Sequence, residues 1–398
     1  MGLKKLLIGT KIMGDKRIKI CCVANTDAFV KFLLLSQLKF LVNEGYDVYV
    51  ACTQGKWSED IKKEGIKIKN IKIKRRISPL YDLVTLCRLW SYFKKEKFDI
   101  VHTNNPKPGL LGQLAAKMAG IPVIINTIHG LYFGDNHKFF KRRFFIFIEK
   151  IAAKFSDSIF SVNKEDIETL EKERIAPPEK IRYLGNGVNL MKFDSDRFSE
   201  ELVNEKKKSF GIPAGHRVLG IVARLVREKG YLDLFEALKL SIKVFPDITL
   251  LSVGPEEPGK KDALDFKTIN DYGLQKNVIF LGERDDVDQI YPLMDIFVFP
   301  SHREGLPVSV LEAMSEKKPI VASDIRGCRE EIENKENGIL VPARNPQKLS
   351  EAIIFLLSNP QEMKKIAENA RADALKYFDE KLVFERIRAT YADLIGRK

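Results

Sequence analysis

The sequence predicts an α/β protein built from two Rossmann-like, doubly wound domains that face each other across a cleft. Short β-rich runs alternate with helical patterns, which is typical of parallel sheets with crossover helices. This alternation runs once, meets a polar and charged stretch at about 194–208, and then starts again. A chain of 398 residues is also too long for one ordinary core, and two domains are the default at that length.

The first half of the chain carries the first succession of elements. Gly45 is placed to end the first predicted helix as a C-cap, and isoleucine alternates with lysine over 66–73, the pattern of a half-buried strand. We predict strands at 18–23, 47–52, 66–73, 99–103, 122–127, 158–162 and 181–183, and helices at 29–44, 78–97, 109–119 and 139–155. We treat residues 1–17 as a candidate extension, with Met13 as an alternative start.

The second half repeats the alternation. We predict strands at 218–222, 249–253, 278–281, 296–299 and 319–322, a helix at 230–245, and helices in the remaining gaps through Thr390. The last segment places four apolar residues on one helical stripe, Phe384, Ile387, Tyr391 and Leu394. We therefore divide the chain into a first domain at 1–195, a second at 196–378 and a final helix at 379–398.

The positive charge is concentrated in one half of the chain. The net charge is +13, and residues 1–195 carry 35 lysines and arginines against 20 aspartates and glutamates. Residues 196–398 carry 32 lysines and arginines against 34 aspartates and glutamates. A one-sided basic surface indicates an anionic partner for the first domain: membrane lipid, a phosphate-bearing acceptor or nucleic acid.

Several classes of protein do not fit the composition. No run of about 18 apolar residues occurs, so we expect no transmembrane helix, and the N-terminus makes no convincing signal peptide. The five cysteines lack metal-ligand spacing, which favours reduced thiols in a cytosolic protein. No strand–G-x-G-x-x-G–helix unit appears, which argues against a Rossmann oxidoreductase.

Two glutamates flank a predicted strand-to-helix turn. The strand at 296–299 ends at Pro300, Glu304 follows in the turn, and Pro307 opens a helix. Glu312 then lies about one and a half turns into that helix. The free backbone N–H groups of the first turn stabilise an anion, and the carboxylates could accept sugar and ribose hydroxyls. A nucleotide sugar fits this description, although an arbitrary glutamate pair is more often a helix-capping acid plus a solvated side chain.

Two cations follow a second strand in a similar way. Arg224 ends the strand at 218–222, and Lys229 with Gly230 opens the next helix. Open α/β sheets bind ligands at the carboxyl ends of their strands, so both cations could converge on a diphosphate there. The alternative is that both are solvated surface charges.

Segment 301–312 resembles the E-x7-E motif of glycosyltransferase family 4, in the retaining GT-B class, and 224–230 resembles the Arg/Lys pair of that family. The resemblance spans nearly the whole chain. Segments 102–114, 126–133 and 323–331 are similar to the bacterial branch that builds capsule, O-antigen or lipid-linked glycans. The resemblance implies a GT-B fold with an acceptor-binding first domain, a nucleotide-sugar-binding second domain, and a final helix that crosses back to the first domain.

The resemblance also implies roles for individual residues. Glu304 would contact the donor sugar, with His129 reaching the same sugar from across the cleft, and we take these two as the catalytic residues. Arg224 and Lys229 would neutralise the departing diphosphate, and Glu312 would hold the ribose. Further donor contacts would come from Gly305, Leu306 and Pro307 in the motif and from Arg284 in a loop near the base. Without the resemblance, a lone histidine such as His129 is more often structural.

Acceptor-binding candidates lie at two other strand ends of the first domain. Asn25, Thr26 and Asp27 occupy the first strand-to-helix turn, where many family members have a Gly-Gly pair. Because this chain lacks that pair, we expect the side chains to line the acceptor pocket in place of a closely approaching backbone. Lys107 follows the strand at 99–103 and is a candidate for holding an acceptor phosphate, with a solvated loop lysine as the equal alternative.

Residues 138–147 interleave phenylalanines with cations, as in an interfacial helix among anionic headgroups. A helical stripe could form ordinary core: Phe140, Phe144, Phe147, Ile148, Ile151 and Phe155. Five residues beside it are expected to contact an anionic membrane: Phe139, Lys141, Arg142, Arg143 and Phe145. Plain packing is the alternative. The lysines of 66–74, continuing into Arg75 and Arg76, add to the same basic surface.

The implied activity is metal-independent transfer, with retention of anomeric configuration, of a hexose or N-acetylhexosamine from a nucleotide sugar, expected to be a UDP-sugar. The acceptor would be a lipid-linked (undecaprenyl-diphosphate) glycan, and the enzyme would be cytoplasmic and peripheral on the inner face of a bacterial plasma membrane. We expect no cofactor, because the cations replace a metal and 285–288 matches a D-x-D motif by spacing alone. The alternatives are a non-transferring GT-B enzyme, such as a UDP-sugar epimerase, and a nucleic-acid-binding protein. Candidate specificity residues are Arg303, Ser309 and the loop 325–328.

Overall fold

The computed structural model describes residues 17–74, 76, 78–133, 139–265 and 267–398, and these form two parallel sheets. The candidate extension therefore lies outside the described residues except for Arg17, and so do Arg75 and Lys138. The predicted architecture of two Rossmann-like domains is confirmed.

The first sheet has seven parallel strands in the order β3-β2-β1-β4-β5-β6-β7. They are β1 (Lys19–Thr26), β2 (Asp47–Thr53), β3 (Lys67–Asn70), β4 (Ile100–Asn104), β5 (Val123–Ile128), β6 (Ser158–Ser161) and β7 (Ile181–Tyr183). The central strands β4 and β5 are buried along their whole length because helices cover both faces of a doubly wound sheet. The order reverses between β1 and β4, which places a ligand-binding crevice at the carboxyl ends of those strands.

The helices of the first domain are α1 (Asp27–Phe29), α2 (Leu35–Asn43), α3 (Ser58–Lys63), α4 (Pro79–Glu96), α5 (Pro106–Ala119), α6 (Phe139–Phe155) and α7 (Lys164–Lys172). The sequence predicted one continuous helix at 29–44. The structure instead has a π-helical segment at Val30–Leu34, and such local widening is frequent at functional sites. Among the helices of the described residues, none has the length and apolarity that a membrane span requires.

The second sheet has six parallel strands in the order β10-β9-β8-β11-β12-β13. They are β8 (Arg217–Val222), β9 (Ile248–Val253), β10 (Val278–Gly282), β11 (Ile296–Phe299), β12 (Ile320–Ser323) and β13 (Ile339–Val341). The sequence analysis missed β13 because three residues are too few to show an alternation. The flanking helices are α8 (Glu200–Ser209), α9 (Tyr231–Ile242), α10 (Lys267–Tyr272), α11 (Val308–Ser315), α12 (Arg326–Glu331), α13 (Pro346–Ser358), α14 (Pro360–Tyr377) and α15 (Glu380–Gly396).

The chain passes between the domains twice, and the two passages are hydrogen-bonded to each other. The Val188 N–H donates to the Phe378 carbonyl at 2.8 Å, and the Glu380 N–H donates to the Val188 carbonyl at 3.1 Å. Helix α15 then packs into the core of the first domain, where the Tyr391 hydroxyl lies 2.7 Å from His102 Nδ1. The predicted return of the final helix to the first domain is confirmed.

The domains also meet directly where α7 faces α12. The Arg326 guanidinium lies 2.5 Å from the buried carboxylate of Asp166, and Arg329 pairs with Glu165 at 2.9 Å. Burial raises the pKa of Asp166, and the charge of Arg326 opposes that rise. Lys164 also pairs with Glu330 at 3.2 Å, so several ion pairs, one of them on a buried carboxylate, connect the two sides of the cleft.

Candidate active site

The carboxyl ends of the two sheets face each other across a cleft that contains a cavity of about 390 Å³. Asn104 and His129 line it from the first domain, and Arg284 and Glu312 line it from the second. Lys192, in the passage between the domains, lines it as well. The cavity therefore brings together three residues that the sequence predicted, His129, Arg284 and Glu312, whereas its lining does not include Arg224, Lys229 or Glu304.

The two predicted diphosphate cations lie on the second domain, and each is paired with a carboxylate. Lys229 ends a 3-10 turn after β8 and forms an ion pair with Glu304, and both side chains are largely buried. Arg224 lies 2.5 Å from the carboxylate of Glu257. A diphosphate bound here would compete with these carboxylates for the cations, because charged hydrogen bonds of this kind are the strong ones.

Glu312 lies in the second turn of α11, where Tyr291 donates a hydrogen bond to its carboxylate at 2.8 Å. Burial raises the pKa of Glu312 to about 7, although the ammonium of Lys192 and the Tyr291 hydroxyl oppose the rise. The helix begins at Val308, and Pro307 is its N-cap residue. Pro307 was predicted to be the first residue of the helix, so the helix begins one residue later than predicted. Glu312 lines the cavity, and its carboxylate can accept further hydrogen bonds there, for example from a diol.

Gly305 brings the two domains into backbone contact beside Glu304. A Cβ atom on Gly305 would lie 2.3 Å from the His129 carbonyl oxygen, and one on Gly130 would lie 2.9 Å from the Gly305 Cα atom. The side-chain amide of Asn163, in the first domain, donates to the Gly305 carbonyl at 3.1 Å. Only glycine fits at 305, so this residue fixes how closely the loop of Glu304 approaches His129.

His129 is neutral, with one ring nitrogen free. Its Nε2 lies 2.9 Å from the Asn104 amide oxygen, and the Asn104 NH₂ group faces Cys22 and Val23, so Nε2 carries the proton. Burial lowers the pKa of His129 to about 4. Nδ1 is buried and has no partner within the described part of the chain. It is therefore a buried hydrogen-bond acceptor without a donor, on a side chain that lines the cavity.

The other predicted donor contacts lie around the same cleft. Arg284 lines the cavity while holding Asp286 at 2.7 Å, and this pairing keeps the pKa of Asp286 below its usual range. Leu306 and Pro307 are buried, and the Leu306 carbonyl accepts a hydrogen bond from Asn186 at 2.7 Å. Within the described ranges no group of three His, Cys, Asp or Glu side chains is arranged to hold a metal ion.

The acceptor-binding candidates need correction. The Asp27 carboxylate accepts from the Gly55 N–H, the Trp57 N–H and the Ser58 hydroxyl, so it holds that loop in place and does not line the pocket. Thr26 caps α1 by accepting from the Phe29 N–H.

Two further acceptor candidates have different environments. Lys107 lies 2.5 Å from Asp82 and donates to the Arg76 carbonyl, so an acceptor phosphate would have to displace Asp82 from it. The Asn25 side-chain oxygen is buried without a partner among the residues described, so Asn25 retains an unused acceptor.

Helix α6 turns a different face outward from the one predicted. Phe145 packs against the core and Arg142 pairs with Glu173 at 2.5 Å, so these two membrane-contact candidates point inward. Phe139, Lys141 and Arg143 are exposed as expected. The residues taken for a core stripe include three exposed phenylalanines, Phe140, Phe144 and Phe147. Phenylalanines on both sides of the helix left its buried face ambiguous in the sequence.

Sequence reasoning missed a second exposed apolar face, on α4. Its outward residues are Leu80, Leu83, Val84 and Trp90. Leu83 and Val84 follow Leu80 by three and four residues, and Trp90 follows Val84 by six. Helix α5 packs between α4 and α6, so both apolar faces lie on the same side of the first domain. The i, i+3, i+4 spacing was present in the sequence, but it is equally typical of a core-facing stripe.

The chain matches two protein-family models. Residues 33–192 match the model described as Glycosyltransferase Family 4, and residues 203–373 match the model described as Glycosyl transferases group 1. These two ranges hold nearly all elements of the first and second domains. The cavity residues Asn104 and His129 fall in the first range, and Arg284 and Glu312 fall in the second.

Curated relatives and solved structures match over almost the full chain. One relative is the Escherichia coli UDP-Gal:alpha-D-GlcNAc-diphosphoundecaprenol alpha-1,3-galactosyltransferase, 29% identical over 372 residues, covering 93% of this chain and 95% of the relative. Another is the Campylobacter jejuni N,N'-diacetylbacillosaminyl-diphospho-undecaprenol alpha-1,3-N-acetylgalactosaminyltransferase, 29% identical over 387 residues, covering 95% and 99%. The structure of Anabaena Alr3699/HepE in complex with UDP-glucose superposes with a TM-score of 0.80 at 20% identity, covering 95% of this chain and all of that one.

The solved structure confirms the GT-B fold, and the family matches fall on the two domains that form the cleft. The chain belongs to the glycosyltransferases, with a Glycosyltransferase Family 4 domain followed by a Glycosyl transferases group 1 domain.

Proposed function

We propose that the protein transfers a sugar, with retention of anomeric configuration and without a metal ion, from a UDP-sugar to a glycan on undecaprenyl diphosphate. The observation that carries the proposal is the Lys229–Glu304 pair, held against the His129–Gly130 backbone of the other domain by Gly305. A cation for the leaving group and two sugar-facing side chains thus converge at one point of the cleft.

The donor diphosphate is assigned to Lys229 and Arg224. Both cations lie at the carboxyl end of β8. Each is paired with a carboxylate of the same domain, and a diphosphate would displace that carboxylate. Preorganised cations stabilise charge that develops on a leaving group, and they need no metal to do so. The UDP moiety is supported by the HepE structure, which is a complex with UDP-glucose.

The donor sugar is assigned to Glu304 and His129, and the ribose to Glu312. Glu304 released from Lys229 accepts a hydroxyl of the sugar, and the free Nδ1 of His129 accepts another from across the cleft. Glu312, held by Tyr291, accepts the ribose diol. None of these groups is placed as an obvious nucleophile, so the retained configuration follows from attack on the same face that the diphosphate leaves.

The lipid-linked acceptor is supported by the relatives and by the outer surface of the first domain. The Escherichia coli and Campylobacter jejuni relatives are named for diphospho-undecaprenol acceptors. The exposed apolar faces of α4 and α6 carry cations beside them, Lys141 and Arg143 among others. Such a surface binds anionic headgroups, and we place the enzyme on the inner face of a bacterial plasma membrane.

The test is a transfer screen with UDP-, GDP- and dTDP-sugars in EDTA, with and without monosaccharide-diphosphoundecaprenol acceptors in anionic vesicles. We expect UDP release that depends on the lipid acceptor and survives EDTA, with a product whose anomeric configuration by NMR equals that of the donor. Release without any acceptor, or activity that returns only on adding Mg²⁺ or Mn²⁺, would contradict the proposal.

A further inference from the structure

A second cavity, of about 60 Å³, lies in the first domain directly beside His129. Its polar lining residues are Asn105, Asn126, Thr127, His129, Tyr132 and Glu149, and it lies between the ends of β4 and β5 and the helix α6. A volume of this size holds a few water-sized groups and no complete sugar ring. The cavity is therefore suited to one polar arm of a larger ligand.

Glu149 is the charged group of this cavity, and it lacks a partner among the residues that the structure describes. The two nearby arginines of α6 are engaged elsewhere, since Arg142 pairs with Glu173 and Arg143 lies over the Phe139 ring. Burial raises the pKa of Glu149 to about 7. Glu149 is half-buried, and partial burial of a carboxylate without a donor is unfavourable, so a ligand hydroxyl in the cavity would supply that donor.

Asn126 gives the cavity a complementary donor. Its side-chain oxygen accepts a hydrogen bond from the Thr103 hydroxyl at 2.8 Å. This fixes the amide orientation and leaves the NH₂ group to face the cavity. A sugar hydroxyl both donates and accepts hydrogen bonds, so a carboxylate and an amide NH₂ together match it.

The cavity is placed next to the point where the donor sugar reacts. His129 lines both this cavity and the donor cleft, and Gly130 contacts Gly305 in the loop of Glu304. The Arg303 guanidinium, from that same loop, lies 4.8 Å from the centre of the Tyr132 ring. A group bound at Glu149 is thus separated from the donor sugar by one side chain.

The cavity shares helix α6 with the apolar side of the first domain. Phe139, exposed at the start of α6, precedes Glu149 by ten residues on one helix, which corresponds to about 15 Å. A glycan carried on a lipid would span that distance from the apolar surface to the reaction site.

We propose that this cavity binds one hydroxyl-bearing arm of the terminal acceptor sugar, with Glu149 accepting a hydrogen bond from that hydroxyl and thereby selecting the acceptor. The inference rests on the proposed transfer to a lipid-linked glycan. It adds a recognition site on the acceptor side that is separate from the donor contacts of Glu304 and Glu312.

The experiment uses the monosaccharide-diphosphoundecaprenol that supports the fastest transfer in the screen above, together with its analogues that lack one hydroxyl each. With the unaltered protein, one analogue should show an acceptor KM raised roughly tenfold or more, the effect of losing a hydrogen bond to a charged group. Glu149→Gln should raise the KM of the parent acceptor by a similar factor and abolish the penalty of that one analogue. UDP affinity should stay unchanged, and Glu149→Asp should give an acceptor KM between those of the unaltered protein and Glu149→Gln.

Glu171→Gln, an exposed neutralisation on α7, is the matched control and should leave every KM unchanged. The inference is overturned if Glu149→Gln leaves the acceptor KM unchanged, weakens all analogues equally, or lowers UDP affinity in parallel, since those results indicate no role or a structural one. If donor is hydrolysed but no lipid-linked acceptor receives sugar, the proposed function fails and the inference fails with it. Transfer with an unaffected Glu149→Gln variant rejects the inference alone.

Discussion

The predicted site residues on the two faces of the cleft differ in how their polar groups are paired. On the second domain the two predicted diphosphate cations are each paired with a carboxylate of that domain, Lys229 with Glu304 and Arg224 with Glu257. On the first domain, the Nδ1 atom of His129 has no partner among the residues described. The predicted donor cations are thus paired before a ligand binds, and His129 is not.

This difference indicates how each face responds to a ligand. An anion that binds the second domain must take a cation from a carboxylate, so binding there is an exchange and Glu304 is freed for a new partner. A ligand that binds the first domain donates hydrogen bonds to unpaired acceptors such as Nδ1 of His129, and no internal contact is broken. The four predictions below test this contrast, from the largest expected effect to the smallest.

The strongest test of the exchange is Lys229→Ala. The variant removes the cation from the diphosphate and leaves the largely buried Glu304 carboxylate without a counterion. We expect kcat/KM for transfer to fall by about 10²–10³, the effect of losing one preorganised charge-stabilising group. Steady-state transfer assays measure it, with Arg227→Ala, an exposed cation of the same turn, as the control. A fall in kcat/KM of less than about tenfold would show that the diphosphate does not take Lys229 from Glu304.

Gly305→Ala tests whether the two faces must touch. The added Cβ would lie 2.3 Å from the His129 carbonyl oxygen, so the domains must separate or the loop must shift. A displacement of about 1 Å at a reacting centre lowers the rate by about 10², and we expect that loss in kcat. UDP affinity, which depends on the second domain, should remain. Gly396→Ala, where the new atom meets open space, controls for the substitution, and full activity of Gly305→Ala would refute the required contact.

The ionisation of Glu312 predicts a pH dependence of donor affinity. Its pKa is raised to about 7 from a usual value of 4.5, so the protonated form dominates in the free protein below pH 7. The fold favours that form, and its contribution to stability is complete below about pH 4.5 and lost as the pH rises through about 7. A ribose diol donates to the ionised form, so donor affinity should increase as the pH rises from about 5 to 7, by up to about tenfold per unit.

Calorimetric titration with a UDP-sugar measures this, because its diphosphate diester does not titrate in that range. Glu312→Gln should show weaker binding that is independent of pH over the same interval. The pKa of His129, lowered to about 4, lies below the window. An unaltered protein whose donor affinity is flat from pH 5 to 8 would remove Glu312 from the ribose site.

The smallest effect is expected for the exposed ion pair between the domains. The Arg329 side chain is 44% exposed and pairs with Glu165, and such pairs contribute about 0–1 kcal/mol. Arg329→Ala should therefore change the free energy of unfolding in urea by less than about 1 kcal/mol. Lys348→Ala, which breaks an exposed pair within the second domain, is the control. A clearly larger change for Arg329→Ala alone would mean that surface charge holds the two faces together.

The same contrast explains what the sequence could predict. Most of the proposed donor residues lie in two short segments, 224–230 and 301–312, where strand, turn and helix follow one another and fix the geometry locally. The proposed acceptor side is assembled from β1, β4, β5 and α6, so no local pattern describes it. Asp27 and Lys107 were chosen because they follow strands, but their carboxylate and ammonium groups are used by loops that only the folded chain brings near.

Other features depend on tertiary contacts as well. The buried face of α6 could not be chosen because phenylalanines surround the helix. Glu149 was not selected because an acid in a helix is usually solvated, and the cavity beside it exists only once β4 and β5 are paired. The π-helical turn at Val30–Leu34 has no sequence signal of its own. The strands, by contrast, were visible because burial on both faces leaves continuous apolar runs.

The return of α15 to the first domain has a consequence for biosynthesis. The ribosome makes the first domain before the second, yet the core of the first domain includes Ile387, Tyr391 and Leu394 of the last helix. At about 5–20 residues per second, the second half of the chain takes roughly 10–40 s to appear. During that interval the apolar face of α2 has no cover, whereas the second domain has all of its own strands before α15 is made. The domain that is translated first is thus completed last, and the nascent chain needs protection, from a chaperone or a membrane surface, until α15 has emerged.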